Sequence, residues 1–191
     1  LTQVITRNFI GQLSLNKTID EGYLQNPYRF IRYKDPSNPT LWLADKERYP
    51  GTRSSDAIAI RGRYFLPNRH VIYAGLRHYQ DSWSINAQHI EIGYAFGFIE
   101  RWLFDTSLRF YQQSDAHFYR DLFDYAGQFN QMGRDKELSR FSNWMLSTSL
   151  AYEFPLPANR FIKKSSAHFF YDYIDFDYKN FRDARVTNVD A

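Results

Sequence analysis

The chain of 191 residues contains no cysteine. That excludes disulfides, thiolate metal sites and cysteine nucleophiles, and it is compatible with any compartment. Equally absent is an apolar run of about eighteen residues or more, so no helix in this sequence spans a membrane. Strands escape that argument, because barrel strands alternate and their hydropathy signal is weak by construction. A mean hydropathy of −0.58 therefore argues only against a helical membrane protein. Charge of one sign is also lacking. The 24 Lys and Arg against 21 Asp and Glu leave a net charge of +3, and the basic residues are dispersed. No nucleic-acid partner is expected from such a pattern. There is no Gly-rich phosphate loop, no nucleophile elbow and no His-Glu-x-x-His helix. Nothing in the sequence brings Ser, His and Asp together, so there is no positive sign of an enzyme, and no cofactor is expected.

What is abundant is aromatic. Fifteen Tyr and 17 Phe contribute to an aromatic share of 19%. Such residues suit pleated, half-buried surfaces, which points to an all-β chain. The length suits a single domain, 1–191. The chain opens on Leu1 and ends in polar "RDARVTNVDA". Both ends read as cut, which makes this a fragment of a longer protein.

Six stretches alternate with period two, and a seventh is plausible. "NFIGQLSLNKT" sets Phe9, Gly11, Leu13 and Leu15 against Gln12, Ser14 and Asn16. "SDAIAIRGRYFL" sets Ile58, Ile60, Tyr64 and Leu66 against Ala57, Ala59, Arg61 and Arg63. "HVIYAGLRHYQD" sets Ile72, Ala74 and Leu76 against Tyr73, Gly75, Arg77 and Asp81. "INAQHIEIGYAF" sets Ile90, Ile92, Tyr94 and Phe96 against His89, Glu91 and Gly93. "RWLFDTSLRFYQQ" sets Trp102, Phe104, Thr106, Leu108 and Phe110 against Arg101, Asp105, Ser107 and Arg109. "NWMLSTSLAYEF" sets Trp144, Leu146, Thr148, Leu150, Tyr152 and Phe154 against Asn143, Ser147, Ser149 and Glu153. "AHFFYDYIDFDY" carries aromatics in both registers, and its faces stay unassigned.

The polar faces mix large charged groups with Gly, Ala and Ser. The apolar faces end in aromatics, which fits a girdle at each edge of a bilayer. The competing reading is a soluble β-sandwich or calyx that binds a ligand or partner. In a barrel, Arg61, Arg63, Arg77, His89, Glu91, Asp105, Arg109 and Glu153 face the lumen. An arginine facing lipid at mid-depth would cost about 2–4 kcal/mol. Cross-strand pairs such as Arg109 with Glu91 or Asp105 are expected. Left unpaired and hydrated, the arginines would instead favour anions.

The connections separate by length. "PNR", "GFIE" and "PLPANRFIKK" are short or moderate, whereas residues 20–54 and 114–141 form long links at the opposite end; the "DSWS" link at that end is short. An up-and-down antiparallel transmembrane β-barrel has short periplasmic turns and long external loops. About seven to eight strands are expected here, part of a larger barrel.

The stretches "DEGYLQNPYRFIRY", "YPGTRSSDAIAIRGRYFLP", "YQDSWSINAQHIEIGY", "LRFYQQSDAHFYRDLF", "RDKELSRFS" and "DYIDFDYKNFRD" occur in order between Leu1 and Asp183. Together they resemble the bacterial domain-of-unknown-function family 3570 (DUF3570). The resemblance implies an outer-membrane β-barrel of a Gram-negative bacterium, about twice this length, of which this chain is the C-terminal half. It implies lipid and the barrel assembly machinery as partners, although the final aromatic-ended strand that the machinery would bind is missing. Genes for thioredoxin-like and flavin-transferring proteins beside family members imply periplasmic redox proteins as further partners.

The matching stretches crowd at the long-loop end. An ordered external rim is expected there, built on Tyr49, Arg53, Asp81, Trp83, Asp115, His117, Tyr119, Arg134, Asp135 and Glu137. His117 lies near Asp115 and Asp121, but a hydrogen-bonded rim histidine is favoured over a metal or acid–base site. His89 and Glu91 are expected to share a salt-bridge network. Asp172, Asp175, Asp177 and Asp183 lack the spacing of a calcium loop, and Arg182 and Arg185 are simpler partners.

Overall fold

The computed structural model describes residues 1–38, 40–155, 165–179 and 184–190. Arg182, Asp183 and most of the "PLPANRFIKK" link lie outside the described residues, as does the side chain of Arg185. Eleven strands are present: β1 Thr2–Thr6, β2 Phe9–Glu21, β3 Phe30–Lys34, β4 Trp42–Lys46, β5 Thr52–Leu66, β6 His70–Asp81, β7 Asn86–Phe98, β8 Trp102–Gln113, β9 Phe141–Glu153, β10 Ser166–Tyr178 and β11 Ala184–Asp190. Nine form one sheet in the order β1-β2-β5-β6-β7-β8-β9-β10-β11, every pair antiparallel, and β3-β4 is a separate hairpin.

The seven alternating stretches are β2 and β5 to β10. The sheet adds β1 and β11 at its two edges, and no pairing joins those edges among the described residues. It is therefore an open all-β sheet of nine strands, where the alternation predicts seven to eight. The link 20–54 is not plain loop either, since it carries the β3-β4 hairpin.

Alternation survives as two faces. One row of directly paired residues runs Leu13, Ile60, Leu76, Ile90, Phe110 and Trp144. On this face Ile60 is 56% exposed and Ile92 57%. The opposite face carries the row Gln12, Arg61, Gly75, Glu91, Arg109 and Met145. Pairing also resolves β10. Phe169, Tyr171, Tyr173 and Asp175 join the apolar face opposite Leu150, Thr148, Leu146 and Trp144, and Phe170, Asp172, Ile174 and Phe176 join the polar face.

Aromatic contacts mark both ends of the apolar face, unequally. At the short-turn end Tyr94, Phe96, Phe98, Phe104, Trp102, Tyr152 and Phe154 form a continuous chain with ring centroids 4.5 to 6.0 Å apart. At the long-loop end Phe110 packs on Trp144 at 4.8 Å.

The enclosed apolar clusters lie outside the sheet. Trp83, Ile85, Ala116, Phe118, Tyr119 and Leu138 form one, and Ile31, Phe123 and Met132 another. Both belong to the long-loop end. The loops fold into a cap because they bury their own aromatics, whereas among the described residues no second layer covers the sheet.

Candidate functional site

The cap is stitched by its backbone. Arg48 and Met132 exchange N–H···O bonds of 2.9 and 2.8 Å, and further bridges join Tyr33 to Phe123 and Tyr119 to Gly133. The Arg48–Met132 and Tyr33–Phe123 bridges tie residues 22–51 to residues 114–140, and Tyr119–Gly133 closes the second segment on itself. Glu47, 1% exposed, holds the junction. Its carboxylate accepts from the Tyr49 hydroxyl at 2.6 Å and from the Arg134 N–H at 2.7 Å. Burial, reinforced by that carboxylate, pushes the Tyr49 phenol far above the ordinary tyrosine value. Burial and the Asp121 carboxylate, which accepts the Tyr119 hydroxyl, push Tyr119 up in the same way.

Asp81 anchors the cap to the sheet. Its Oδ1 accepts the N–H groups of Trp83 and Ile85 at 3.0 and 2.9 Å, which fixes the short β6-β7 link. Its Oδ2 accepts Arg53 Nε at 2.8 Å and the Tyr79 hydroxyl at 3.1 Å. Trp83 Nε1–H donates to the Thr52 carbonyl at 3.0 Å. Asp135 accepts the Glu137 N–H at 3.2 Å, opening a 3-10 turn at Lys136–Leu138, and lies 3.5 Å from Arg29. Asp115 faces Arg140 at 3.7 Å. His117 is an exposed, hydrogen-bonded histidine, held by the Trp83 carbonyl at 3.0 Å and Gln131 at 3.2 Å. The ten rim residues therefore all lie in or beside this cap.

The eight charged residues assigned to the lumen share the polar face. Here the expected pairing needs correction. Register sets Glu91 directly opposite Arg109, yet among the described residues no carboxylate lies within 4.0 Å of Arg61, Arg77 or Arg109. Glu91 sits 3.6 Å from His89 instead. Asp105 accepts the Tyr73 hydroxyl at 2.8 Å. Tyr73 reaches it from two strands away by lying across Gly93, where a Cβ would stand 2.1 Å from the ring. Strand spacing explains the correction: a tyrosine spans a glycine and satisfies the aspartate, and Glu91 turns along its own strand. Glu153 ends β9, its N–H bonded to the Arg101 carbonyl.

The cap overhangs the polar face. Gln113 Nε2 donates to the carbonyls of Glu137 and Ser139, both at 2.8 Å, and its Oε1 accepts the Tyr111 hydroxyl at 2.7 Å. Beneath lies a cavity of about 450 Å³ lined by Arg77, His89, Arg109, Tyr111, Asn143 and Glu137 among others. Cationic donors on that wall suit an anion. Glu47, Gln113 and Asn143 were not singled out by sequence pattern. Glu47 sits in a loop without periodicity, and the other two look like ordinary polar-face residues.

A family model described as "Protein of unknown function (DUF3570)" matches residues 1–175, and the chain belongs to that family. No curated protein and no solved structure matches it.

Proposed function

We propose that this DUF3570 member forms part of the wall of an outer-membrane β-barrel in a Gram-negative bacterium and serves as a channel or an envelope scaffold with a structured external rim. One observation carries the reading: a broad exposed face of Ile, Leu and aromatic side chains backs directly onto a face bearing arginines. Ile90 to Phe98 is a run of about nine residues, the lower end of the length that a tilted spanning strand needs. Every strand inside the sheet is paired on both sides, as a spanning strand requires, and closure would supply partners for the β1 and β11 edges. Lipid and the barrel assembly machinery are the implied partners, with periplasmic redox proteins the implied functional neighbours.

The unpaired Arg61, Arg77 and Arg109 favour a channel preferring anions over a plain scaffold. A soluble sandwich or calyx would have to cover Ile60, Leu76 and Ile92 with a second layer.

A chain without cysteine offers a clean background for site-specific labelling. In outer-membrane vesicles, Glu91→Cys should react with a small water-soluble maleimide, and Ile92→Cys should resist it while reacting with a lipid-soluble one. Recovery of the protein in the soluble fraction, with Ile92→Cys shielded from both reagents, would establish the calyx instead. Planar-bilayer recordings of the full-length protein separate the two roles: steps with anion preference mean a channel, and their absence means a scaffold.

A further inference from the structure

We infer that the cavity beneath the cap binds a small oxyanion, a carboxylate or a phosphate. This deepens the lumen reading above and rests on the same orientation of the arginine face.

Arg77, His89, Arg109 and Asn143 converge on the cavity from β6, β7, β8 and β9. Arg77 is directly opposite His89, and Tyr111 is directly opposite both His89 and Asn143. Three buried polar atoms have no hydrogen-bond partner among the described residues: Arg109 Nε, His89 Nε2 and Asn143 Oδ1. The residues that carry them line this one cavity, where Arg77 and Arg109 have no carboxylate within 4.0 Å among the described residues. Asn143 is only 6% exposed, so bulk water does not serve it.

An orphaned buried polar atom keeps the full cost of its lost hydration. Buried polar groups in native proteins are otherwise nearly always satisfied. Arg77 and Arg109 on one wall, each without a carboxylate partner among the described residues, form a surface suited to an anion. An anion oxygen in the cavity accepts from the guanidinium groups of Arg77 and Arg109, while His89 Nε2 already has the Glu91 carboxylate 3.6 Å away. Charge agrees: Arg61, Arg77 and Arg109 outnumber Glu91 and Glu137 on this part of the face, while Arg53 is neutralised by Asp81 at 2.7 Å. A volume of about 450 Å³ admits an anion of this size together with water.

Isothermal titration of the full-length protein in detergent, at low chloride, tests the site with two probes, inorganic phosphate and succinate. Saturable one-site binding of either supports it, and the tighter probe identifies the class. Arg109→Gln and Arg77→Gln should each weaken binding about tenfold or more. Arg63→Gln, on the same face but nearer the short turns, should leave affinity within about twofold. Asn143→Asp covers the case in which an arginine variant fails to fold: it supplies a carboxylate to the orphaned donors, so it should raise the melting temperature and abolish binding. No saturable heat from either probe, or equal weakening by Arg63→Gln, overturns the site. The maleimide pattern reports orientation independently, so loss of the site and loss of the barrel are distinguishable.

Discussion

Arg53 stands over the Trp83 ring, its guanidinium carbon 4.5 Å from the ring centroid, while the same group is paired with Asp81 at 2.7 Å. One carboxylate, whose side chain is 0% exposed, thus orders an arginine, a tyrosine hydroxyl and two loop N–H groups at the junction of sheet and cap. Asp81→Ala should strip those donors of their acceptor. Because Arg53 remains partly exposed, a loss of roughly 2–4 kcal/mol is expected, confined to the cap. Trypsin should then cleave within residues 114–140 much faster than in the wild type, with strand content by circular dichroism unchanged. An unchanged cleavage rate would show that the cap is held elsewhere.

Gly93 is required by its neighbour. A Cβ there would meet the Tyr73 ring at 2.1 Å, so Gly93→Ala must displace Tyr73 and break its bond to Asp105. A destabilisation of about 1–3 kcal/mol is expected. In a double-mutant cycle, Tyr73→Ala should remove most of that penalty. Additive effects would mean the two residues do not interact.

Alkali should open the cap before it melts the sheet. Tyr49 and Tyr119 have folded pKa values above the ordinary 10.0. A raised folded value means that the stabilisation is fully present below the unfolded pKa, near pH 10, and is lost as pH rises further. The phenolate absorbance should therefore show a late component, coincident with faster proteolysis of the cap. Glu47→Gln should bring part of that component back toward ordinary tyrosines, because the Glu47 hydrogen bond and charge both raise Tyr49. A single early titration of all tyrosines would contradict the buried assignment.

Ile92→Arg sets a guanidinium at the middle of the apolar face. If the proposed barrel is right, this should destabilise it in a bilayer by about 2–4 kcal/mol, read as a lowered midpoint of urea unfolding from lipid vesicles. Ile92→Leu should be nearly neutral. If Ile92→Arg were also neutral, that face would meet water.

The alternation of β5 to β9 was readable because each strand keeps a single period of two, so parity alone sorts Ile92 from Glu91. In β10 aromatics occupy both parities, and only pairing with β9 separated Tyr173 from Ile174. β1 and β11 are short and lie at the edges, where the pattern is too brief to stand out. In the cap, rim positions such as Asp81 and Trp83 were legible as crowded motifs, but Glu47 was not. Its role depends on the Arg134 N–H, which is distant in sequence.

The sequence determined which side of β2 and of β5 to β9 is oily, which is charged, and at which end the long connections fall, because a period-two backbone converts residue parity directly into face. Tertiary structure alone decided that Glu91 leaves Arg109 unpaired, that Tyr73 crosses Gly93 to Asp105, and that Arg77, His89, Arg109 and Asn143 line one cavity. Those facts follow from strand register and side-chain reach between residues far apart in the chain, and local pattern carries neither.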